Sequence, residues 1–122
     1  LICCVPTWNT GADEARSGTA WDDLVQEIPD QDFAGKPVAI LGLGDSSGYS
    51  DFFCDAMEEL HSAFVSAGAK VIGKTATDGY TYDDSKSVID GKFCGLPLDE
   101  DNESELTDQR LNAWITQIQS EA

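Results

Sequence analysis

Two glycine-containing loops, each with one large aromatic residue, follow the first two apolar runs of the chain. Residues 1–5 lead into Pro6-Thr7-Trp8-Asn9-Thr10-Gly11, and residues 37–41 lead into Gly42-Leu43-Gly44-Asp45-Ser46-Ser47-Gly48-Tyr49. In an open parallel sheet, loops at the carboxyl ends of the strands form the ligand site. Trp8 and Tyr49 are therefore placed to face each other across a planar ring. Aromatic side chains suit such a site because they supply contact area at low entropic cost. This pattern favours binding of a flavin.

Other interpretations of these loops are weaker. A tryptophan just beyond a strand is also typical of a residue that plugs the core, but the second aromatic loop favours stacking. The pattern Gly42-x-Gly44-x-x-x-Gly48 misses the dinucleotide fingerprint by one residue, and no acidic residue stands about 20 residues beyond a second strand. We therefore expect these glycines to let the backbone approach a ligand edge, and we do not expect a nicotinamide dinucleotide.

Catalytic and metal sites have little support in this sequence. His61 is the only histidine and G-x-S-x-G is absent, so no hydrolase triad is expected and His61 should lie on the surface. Neighbouring Cys3 and Cys4 would point to opposite faces of a strand, and no C-x-x-C spacing occurs. Reduced, buried thiols are expected. The acidic run 99–105 superficially resembles a calcium loop but lacks the glycine required at position 6, and Arg110 stands where the glutamate of position 12 is required.

The charge of the chain limits its partners. Acidic residues outnumber basic ones 23 to 7 in 122 residues, giving a net charge of −16. Such a field repels nucleic acid and anionic membranes and favours basic protein surfaces, although solubility alone also explains it. No apolar run approaches the about 18 residues that a membrane span needs, and no signal peptide is evident. The length indicates a single domain, and a soluble intracellular location is expected.

The apolar periodicity predicts alternating strands and helices. Residues 1–5 and 37–41 are continuous apolar runs typical of buried parallel strands. Ser17 or Thr19 is placed to cap a helix that ends at Pro29 and whose apolar stripe is Trp21, Leu24, Val25 and Ile28. A second helix is predicted over residues 51–67, with Phe53, Met57, Leu60 and Phe64 on one face.

The second half of the chain continues this pattern. Residues 69–72 predict a third strand, residues 73–90 are polar and turn-rich, and residues 92–98 regain strand character. Thr107 is expected to cap a last helix with apolar residues Leu111, Trp114, Ile115 and Ile118. The order predicts a doubly wound α/β domain with a parallel sheet. Tyr80 and Tyr82 either contact a partner or pin the polar excursion to the domain, and the sequence leaves both open.

Taken together, these motifs resemble a flavodoxin of the long-chain subgroup, in which an excursion, here residues 73–95, splits the last strand. The resemblance rests on Pro6-Thr7-Trp8-Asn9, Gly42-Leu43-Gly44-Asp45, Gly48-Tyr49, Asp83-Asp84-Ser85-Lys86 and Gly91-Lys92-Phe93-Cys94-Gly95-Leu96-Pro97-Leu98-Asp99. It covers essentially the whole chain in the family's order. The combination is specific, whereas no single motif is.

The resemblance implies an electron-transfer protein that is not an enzyme and carries single electrons on FMN. Its partners would be basic surfaces such as those of photosystem I or ferredoxin–NADP reductase, in the chloroplast stroma of an alga or in a bacterial cytoplasm. The cofactor-binding residues it implies are Thr7, Trp8, Asn9, Thr10 and Gly11 on one side, Leu43, Gly44, Asp45 and Tyr49 on the other, and Asp101 nearby. A backbone carbonyl near Asn9 or Thr10 would accept a hydrogen bond from the ring.

Two departures from the family pattern matter. Phe52 stands where related sequences usually carry an asparagine beside the flavin. The resemblance also implies that the family's first two strands and its phosphate loop are missing from this chain. We therefore expect an incomplete domain, with three helices and with three of the five strands of the family's sheet. Losing about four charge-assisted hydrogen bonds of about 1.5 kcal/mol each would weaken FMN binding about 10⁴-fold.

Two other functions remain open. The chain could be a flavin-free docking or structural subunit of a larger, photosynthetic assembly, with a partner covering the exposed edge of its first strand. A weaker alternative is a flavodoxin-like domain of an FMN reductase or a diflavin enzyme. The acidic last helix ends at Ala122 without a linker, which argues mildly against that alternative.

Overall fold

A parallel sheet with helices on both faces forms the core of the structure, a computed structural model that describes residues 1–122. Its elements in chain order are β1 (Ile2–Pro6), α1 (Trp21–Glu27), β2 (Pro37–Leu43), α2 (Ala56–Ser66), β3 (Lys70–Ile72), β4 (Thr75–Ala76), β5 (Val88–Ile89), β6 (Lys92–Phe93), β7 (Leu96–Leu98) and α3 (Thr107–Glu121). The α/β class, the parallel sheet and the three helices are confirmed. None of the helices combines the length and apolarity that crossing a membrane requires.

Strand β2 lies at the centre of the parallel sheet. Strand β1 pairs along one edge of β2, in register from Ile2 opposite Ala39 to Pro6 opposite Leu43. Strand β3 pairs with the first part of the other edge and β7 with the last part, where Leu98 lies opposite Leu43. Between β3 and β7 the chain forms a small antiparallel sheet in the order β4-β6-β5. Two segments separated by this excursion therefore share one strand position.

Alternating residues of β2 face two separate cores. Val38 and Ile40 belong to the larger core beneath α2, and Ala39 belongs to a smaller core with Trp114 and Ile118 of α3. All five residues are at most 8% exposed. This alternation follows from the two-residue period of a strand, and it explains why the run is apolar at consecutive positions.

Helix α2 begins five residues later than the periodicity predicts. Phe53, Met57, Leu60 and Phe64 are buried as expected. However, Ser50–Phe52 is a 3₁₀ turn, Cys54 has φ of 54°, and the N–H of Phe53 donates to the carbonyl of Asp84 at 3.2 Å. The excursion therefore holds the residues before Ala56 out of the helix.

Helix α1 follows the predicted stripe only in part. Trp21 and Val25 pack against the larger core, and Ile28 is buried in a 3₁₀ turn that includes Pro29. Leu24 is 46% exposed, so its predicted place on the buried stripe is wrong. The hydroxyl of Thr19 accepts the N–H of Trp21 at 3.2 Å. No residue of α1 itself is fully buried, so the helix covers the core only partly.

The segment 92–98, predicted as one strand, forms two strands that belong to different sheets. Strand β6 is antiparallel to β4 and β5, whereas β7 is parallel to β2. Gly95 lies between them, where a Cβ atom would stand 2.0 Å from the carbonyl oxygen of Ile40. This close backbone approach is available only to glycine.

Tyr80 and Tyr82 pin the excursion to the domain. Their ring centroids lie 6.0 Å and 5.6 Å from that of Phe53 in the larger core, and the hydroxyl of Tyr80 donates to the carbonyl of Pro97 at 2.7 Å. The guanidinium of Arg110 lies 4.0 Å from the centre of the Tyr80 ring. Burial raises the pKa of Tyr80 to about 12. Of the two roles left open by the sequence, these contacts support anchoring.

The four cysteines are free thiols in unlike surroundings. Cys3 is buried and Cys4 is exposed, so their opposite orientation is confirmed and the expectation of buried thiols is wrong for Cys4. Burial raises the pKa of the Cys54 thiol and raises that of Cys94 to about 11. His61 is only half-buried rather than fully on the surface, and burial followed by the nearby Lys74 charge lowers its pKa.

Candidate functional site

A cleft of about 320 Å³ opens at the carboxyl ends of β1, β2 and β7. We call it the aromatic cleft. Loops that follow these three strands supply its walls, as expected for an open parallel sheet. The residues that line it are Pro6, Thr7, Trp8, Leu43, Gly44, Asp45, Tyr49, Glu100 and Asp101.

Trp8 and Tyr49 lie in the same cleft and are both exposed. Trp8 is 77% accessible to solvent and Tyr49 is 52% accessible. Trp8 is therefore not a core plug, and that alternative is wrong. Large exposed aromatic side chains around one concavity indicate a binding site, because solvated apolar surface of this kind has no structural purpose in an isolated domain.

The cleft contains most, but not all, of the residues predicted to bind the cofactor. Those that line it are Thr7, Trp8, Leu43, Gly44, Asp45, Tyr49 and Asp101. Asn9, Thr10 and Gly11 lie outside its lining. The amide nitrogen of the Asn9 side chain donates to the carbonyl of Ala15 at 3.1 Å. A Cβ atom at Gly11 would lie 3.4 Å from the Phe52 ring, so Phe52 packs against this loop. Phe52 is not among the residues that line the cleft.

The first loop is tied to α2 at its beginning. The hydroxyl of Thr7 accepts the N–H of Ala56, the first residue of α2, at 3.1 Å. The backbone N–H groups of Trp8 and Asn9 then donate to the carbonyls of Ser17 and Arg16, at 3.1 Å and 3.0 Å. Trp8 is thus held through its backbone, while its side chain remains free to contact a ligand.

Two glycines at the start of the second loop, Gly42 and Gly44, allow close packing against α2 and the turn before it. A Cβ atom at Gly42 would lie 2.4 Å from Cγ of Met57, and one at Gly44 would lie 2.7 Å from Sγ of Cys54. Gly42 does not line the cleft, so its predicted role in approaching a ligand is wrong. Both residues let α2 and the turn before it lie against β2.

Asp45 shapes the second loop through its carboxylate. Its Oδ1 accepts the N–H groups of Ser47 at 3.1 Å and Gly48 at 2.8 Å, and the side chain of Asn102 donates to the same oxygen at 2.7 Å. The hydrogen bond from Gly48, followed by that from Asn102, lowers the pKa of Asp45. The carboxylate is thereby kept ionised at the edge of the cleft.

Asp99 joins the second loop to the third. It is fully buried, and its Oδ2 accepts both the N–H of Ser46 at 3.2 Å and the Ser46 hydroxyl. Its Oδ1 accepts the N–H of Asn102 at 3.1 Å. The sequence interpretation missed Asp99, Asn102, Glu100 and Pro6. For Asp99 and Glu100 the available signal was their place directly after β7, whose carboxyl end meets the same edge of the sheet.

The aromatic cleft is acidic and suits a planar, weakly charged ring. Asp45, Glu100 and Asp101 line it, and no basic side chain does. One carboxylate oxygen from each of Asp45, Asp99 and Asp101 lies within 4.8 Å of the other two. The volume lies at the lower end of the range of roughly 300–1,000 Å³ for small-molecule pockets. These residues fit the ring of a flavin but offer no positive charge to a phosphate.

Known proteins resemble this chain over nearly its full length. The family profile described as Flavodoxin matches residues 1–114. A flavodoxin of Nostoc sp. is 48% identical over 121 residues, covering 99% of this chain and 69% of the relative. A flavodoxin of Haemophilus influenzae is 39% identical and covers 99% of this chain and 68% of its own length. The crystal structure of Fusobacterium nucleatum flavodoxin bound to flavin mononucleotide superposes with a TM-score of 0.89 at 39% identity, covering 99% of this chain and 70% of that one.

Proposed function

This chain belongs to the flavodoxin family, and from that premise we propose that it is an electron-transfer protein that carries single electrons on FMN. The main observation in support of this proposal is the aromatic cleft, in which Trp8 and Tyr49 line one concavity at the carboxyl edge of the sheet. The similar Fusobacterium flavodoxin is described with flavin mononucleotide bound. The flavin supplies the redox chemistry, and the protein binds, orients and electrostatically tunes it.

The acidic cleft favours a low reduction potential. Reduction adds negative charge to a flavin ring, and the carboxylates of Asp45, Glu100 and Asp101 line the cleft that would hold it. Like charges in a partly desolvated site raise the free energy of the reduced form. Trp8 and Tyr49 would add to this effect by shielding the ring from water.

The test of flavin binding compares FMN with riboflavin. Because no basic side chain lines the cleft, we expect the two ligands to bind this chain with affinities within about threefold, as followed by quenching of flavin fluorescence. Absence of binding by both flavins would contradict the proposed function. FMN binding far more tightly than riboflavin would contradict the assignment of the ring alone to these residues.

A variant of Trp8 tests the stacking contact. We expect Trp8→Ala to weaken riboflavin binding roughly tenfold, the equivalent of about 1.4 kcal/mol, because it removes one aromatic wall. Leu24→Ala is the matched control, since Leu24 is exposed and lies on α1 outside the cleft lining. Equal affinities of the Trp8 variant and the unmodified chain would show that the indole does not contact the ring.

The proposed partners are basic protein surfaces such as those of photosystem I or ferredoxin–NADP reductase. The net charge of −16 and the carboxylates at the cleft support this proposal. Electrostatic steering predicts that the rate of electron transfer to such a partner falls steeply with ionic strength. A rate independent of salt would contradict it. The long-chain subgroup, photosynthetic electron transport and a location in the chloroplast stroma or the bacterial cytoplasm are further parts of the proposal.

A second candidate is a flavin-free docking or structural subunit. It is favoured by β1, which pairs only with β2 and leaves its other edge open, with Leu1 66% and Ile2 49% exposed. Unpaired apolar strand edges recruit further strands. Light scattering of the purified chain measures its oligomeric state, and quenching of flavin fluorescence measures binding. A folded monomer that binds flavin would contradict this candidate.

A further inference from the structure

The loop that carries Trp8 is long, and its conformation needs an anchor. Residues 7–20 contain no helix or strand, whereas connections of this kind usually have about 4–6 residues. Gly11, Ala15 and Gly18 adopt positive φ, of 79°, 54° and 68°. For Ala15, which has a Cβ atom, this conformation persists only when neighbouring groups hold it in place.

Glu59 is the group that holds this part of the loop. It lies on α2, and its Oε1 accepts the backbone N–H of Arg16 at 2.7 Å while its Oε2 accepts that of Ala15 at 3.1 Å. The Glu59 side chain is 16% exposed and the Arg16 side chain is 9% exposed. Two hydrogen bonds from adjacent backbone N–H groups to one carboxylate are charge-assisted and fix its orientation.

The held segment in turn positions Trp8. The carbonyls of Arg16 and Ser17 accept the N–H groups of Asn9 and Trp8, so a continuous series of hydrogen bonds connects α2 to the wall of the aromatic cleft. Helix α2 itself is anchored by buried residues such as Leu60 and Phe64. Because Trp8 is 77% exposed, contacts of its side chain contribute little to its orientation.

We propose that Glu59 is a positioning residue that fixes the Trp8 wall of the aromatic cleft by binding the backbone N–H groups of Ala15 and Arg16. It does not contact the ligand, and it acts through the 15–17 segment. This inference deepens the proposed function and rests on it for its ligand-binding consequence, whereas the consequence for loop dynamics is independent of any flavin.

The test uses Glu59→Gln in the full chain. Glutamine keeps one acceptor oxygen but replaces the other with an NH₂ donor, so one of the two backbone N–H groups loses its partner. We expect hydrogen exchange of the Trp8 and Asn9 amides, measured by NMR, to become at least tenfold faster, while exchange in β2 stays unchanged. Riboflavin affinity should fall about fivefold.

The matched control is Glu58→Gln. Glu58 is the neighbouring residue, and its carboxylate accepts bonds from the Arg16 guanidinium and the Ser62 hydroxyl but from no loop backbone N–H. Glu58→Gln removes the same charge, and we expect less than a twofold change in amide exchange or in riboflavin affinity. Equal effects of the two variants would overturn the proposal, because they would show that charge and not backbone binding matters. Unchanged exchange in a folded Glu59→Gln chain would overturn it as well.

The unmodified chain provides a measurement that does not depend on any variant folding. Ala15 is exposed on a loop, yet its N–H should exchange slowly because the Glu59 carboxylate binds it. Rapid exchange of the Ala15 and Arg16 amides would overturn the proposal. If neither flavin binds, the proposed function fails, but these exchange rates still decide the role of Glu59.

Discussion

Asp45 and Asp55 lie in one small domain, and their surroundings move their pKa values in opposite directions. Asp45 accepts bonds from Gly48 and Asn102, which lower its pKa. Asp55 is 1% exposed, and burial raises its pKa despite the N–H of Lys86 donating to its Oδ1 at 2.8 Å. Its Oδ2 has no hydrogen-bond partner. The carboxylate that borders the ligand site is stabilised in its charged form, and the one beneath the loops is not.

We expect Asp55→Asn to stabilise the protein at pH 7.5 by about 1 kcal/mol, because it removes a buried charge while keeping the acceptor for Lys86. A folded-state pKa raised above the unfolded value contributes stability that is present below the unfolded pKa and lost as pH rises through the folded pKa. The advantage of the variant should therefore shrink as pH falls toward about 4. Urea unfolding at several pH values measures it.

Asp51→Asn is the control for this change, since Asp51 is an exposed residue of the 3₁₀ turn Ser50–Phe52. Its unfolding free energy should stay within about 0.5 kcal/mol of the unmodified chain at every pH. A loss of stability in the Asp55 variant at pH 7.5 would mean that the nearby Arg16 guanidinium, whose Nη1 donates to the Asp55 carbonyl at 3.0 Å, already compensates the charge.

At the scale of the elements, β6 and β7 can belong to different sheets because the backbone at Gly95 approaches β2 closely. The φ of Gly95 is not positive, so the requirement for glycine is the space occupied by the carbonyl of Ile40. This contact lets one segment leave the antiparallel sheet and join the parallel one. The third wall of the aromatic cleft, residues 99–102, follows directly from β7 and depends on that crossing.

We expect Gly95→Ala to destabilise the protein by about 3 kcal/mol, because a backbone carbonyl cannot rotate away from the added methyl group. Gly79→Ala is the control: it has φ of 84° but nothing within 4 Å of its would-be Cβ atom. That substitution should cost only about 1 kcal/mol, from the left-handed backbone alone. Urea unfolding of both variants measures the difference, and equal losses would contradict the steric explanation.

Local periodicity predicted the order of the elements, and long-range contacts decided what it missed. Phe53 and Met57 were correctly expected in the core, but the start of α2 depends on a bond from Phe53 to Asp84, which no local pattern reveals. Trp8 and Tyr49 could be assigned to one site because both follow parallel strands. Glu59 and Asn102 could not, since their importance comes from partners more than forty residues away in sequence.

On the scale of the whole molecule, the charges are segregated. Only Arg16, Lys86 and Arg110 lie within 4 Å of a carboxylate. Three other cations, Lys70, Lys74 and Lys92, line a concavity of about 440 Å³ beside the end of α3, where the Lys70 ammonium donates to the carbonyl of Glu121 at 2.9 Å. Most of the 23 acidic side chains therefore lack a nearby opposite charge, and the folded state carries their mutual repulsion.

Added salt should therefore stabilise this protein. We expect the free energy of unfolding to rise by on the order of 1 kcal/mol between 10 mM and 0.5 M NaCl, because screening weakens repulsion in the compact state more than in the expanded chain. Urea unfolding at each salt concentration measures this, and the dependence of the free energy on urea should keep its slope. KCl at equal ionic strength should give the same increase. A decrease with salt would show that the few ion pairs, chiefly those of buried Arg16, outweigh the repulsion of the remaining carboxylates.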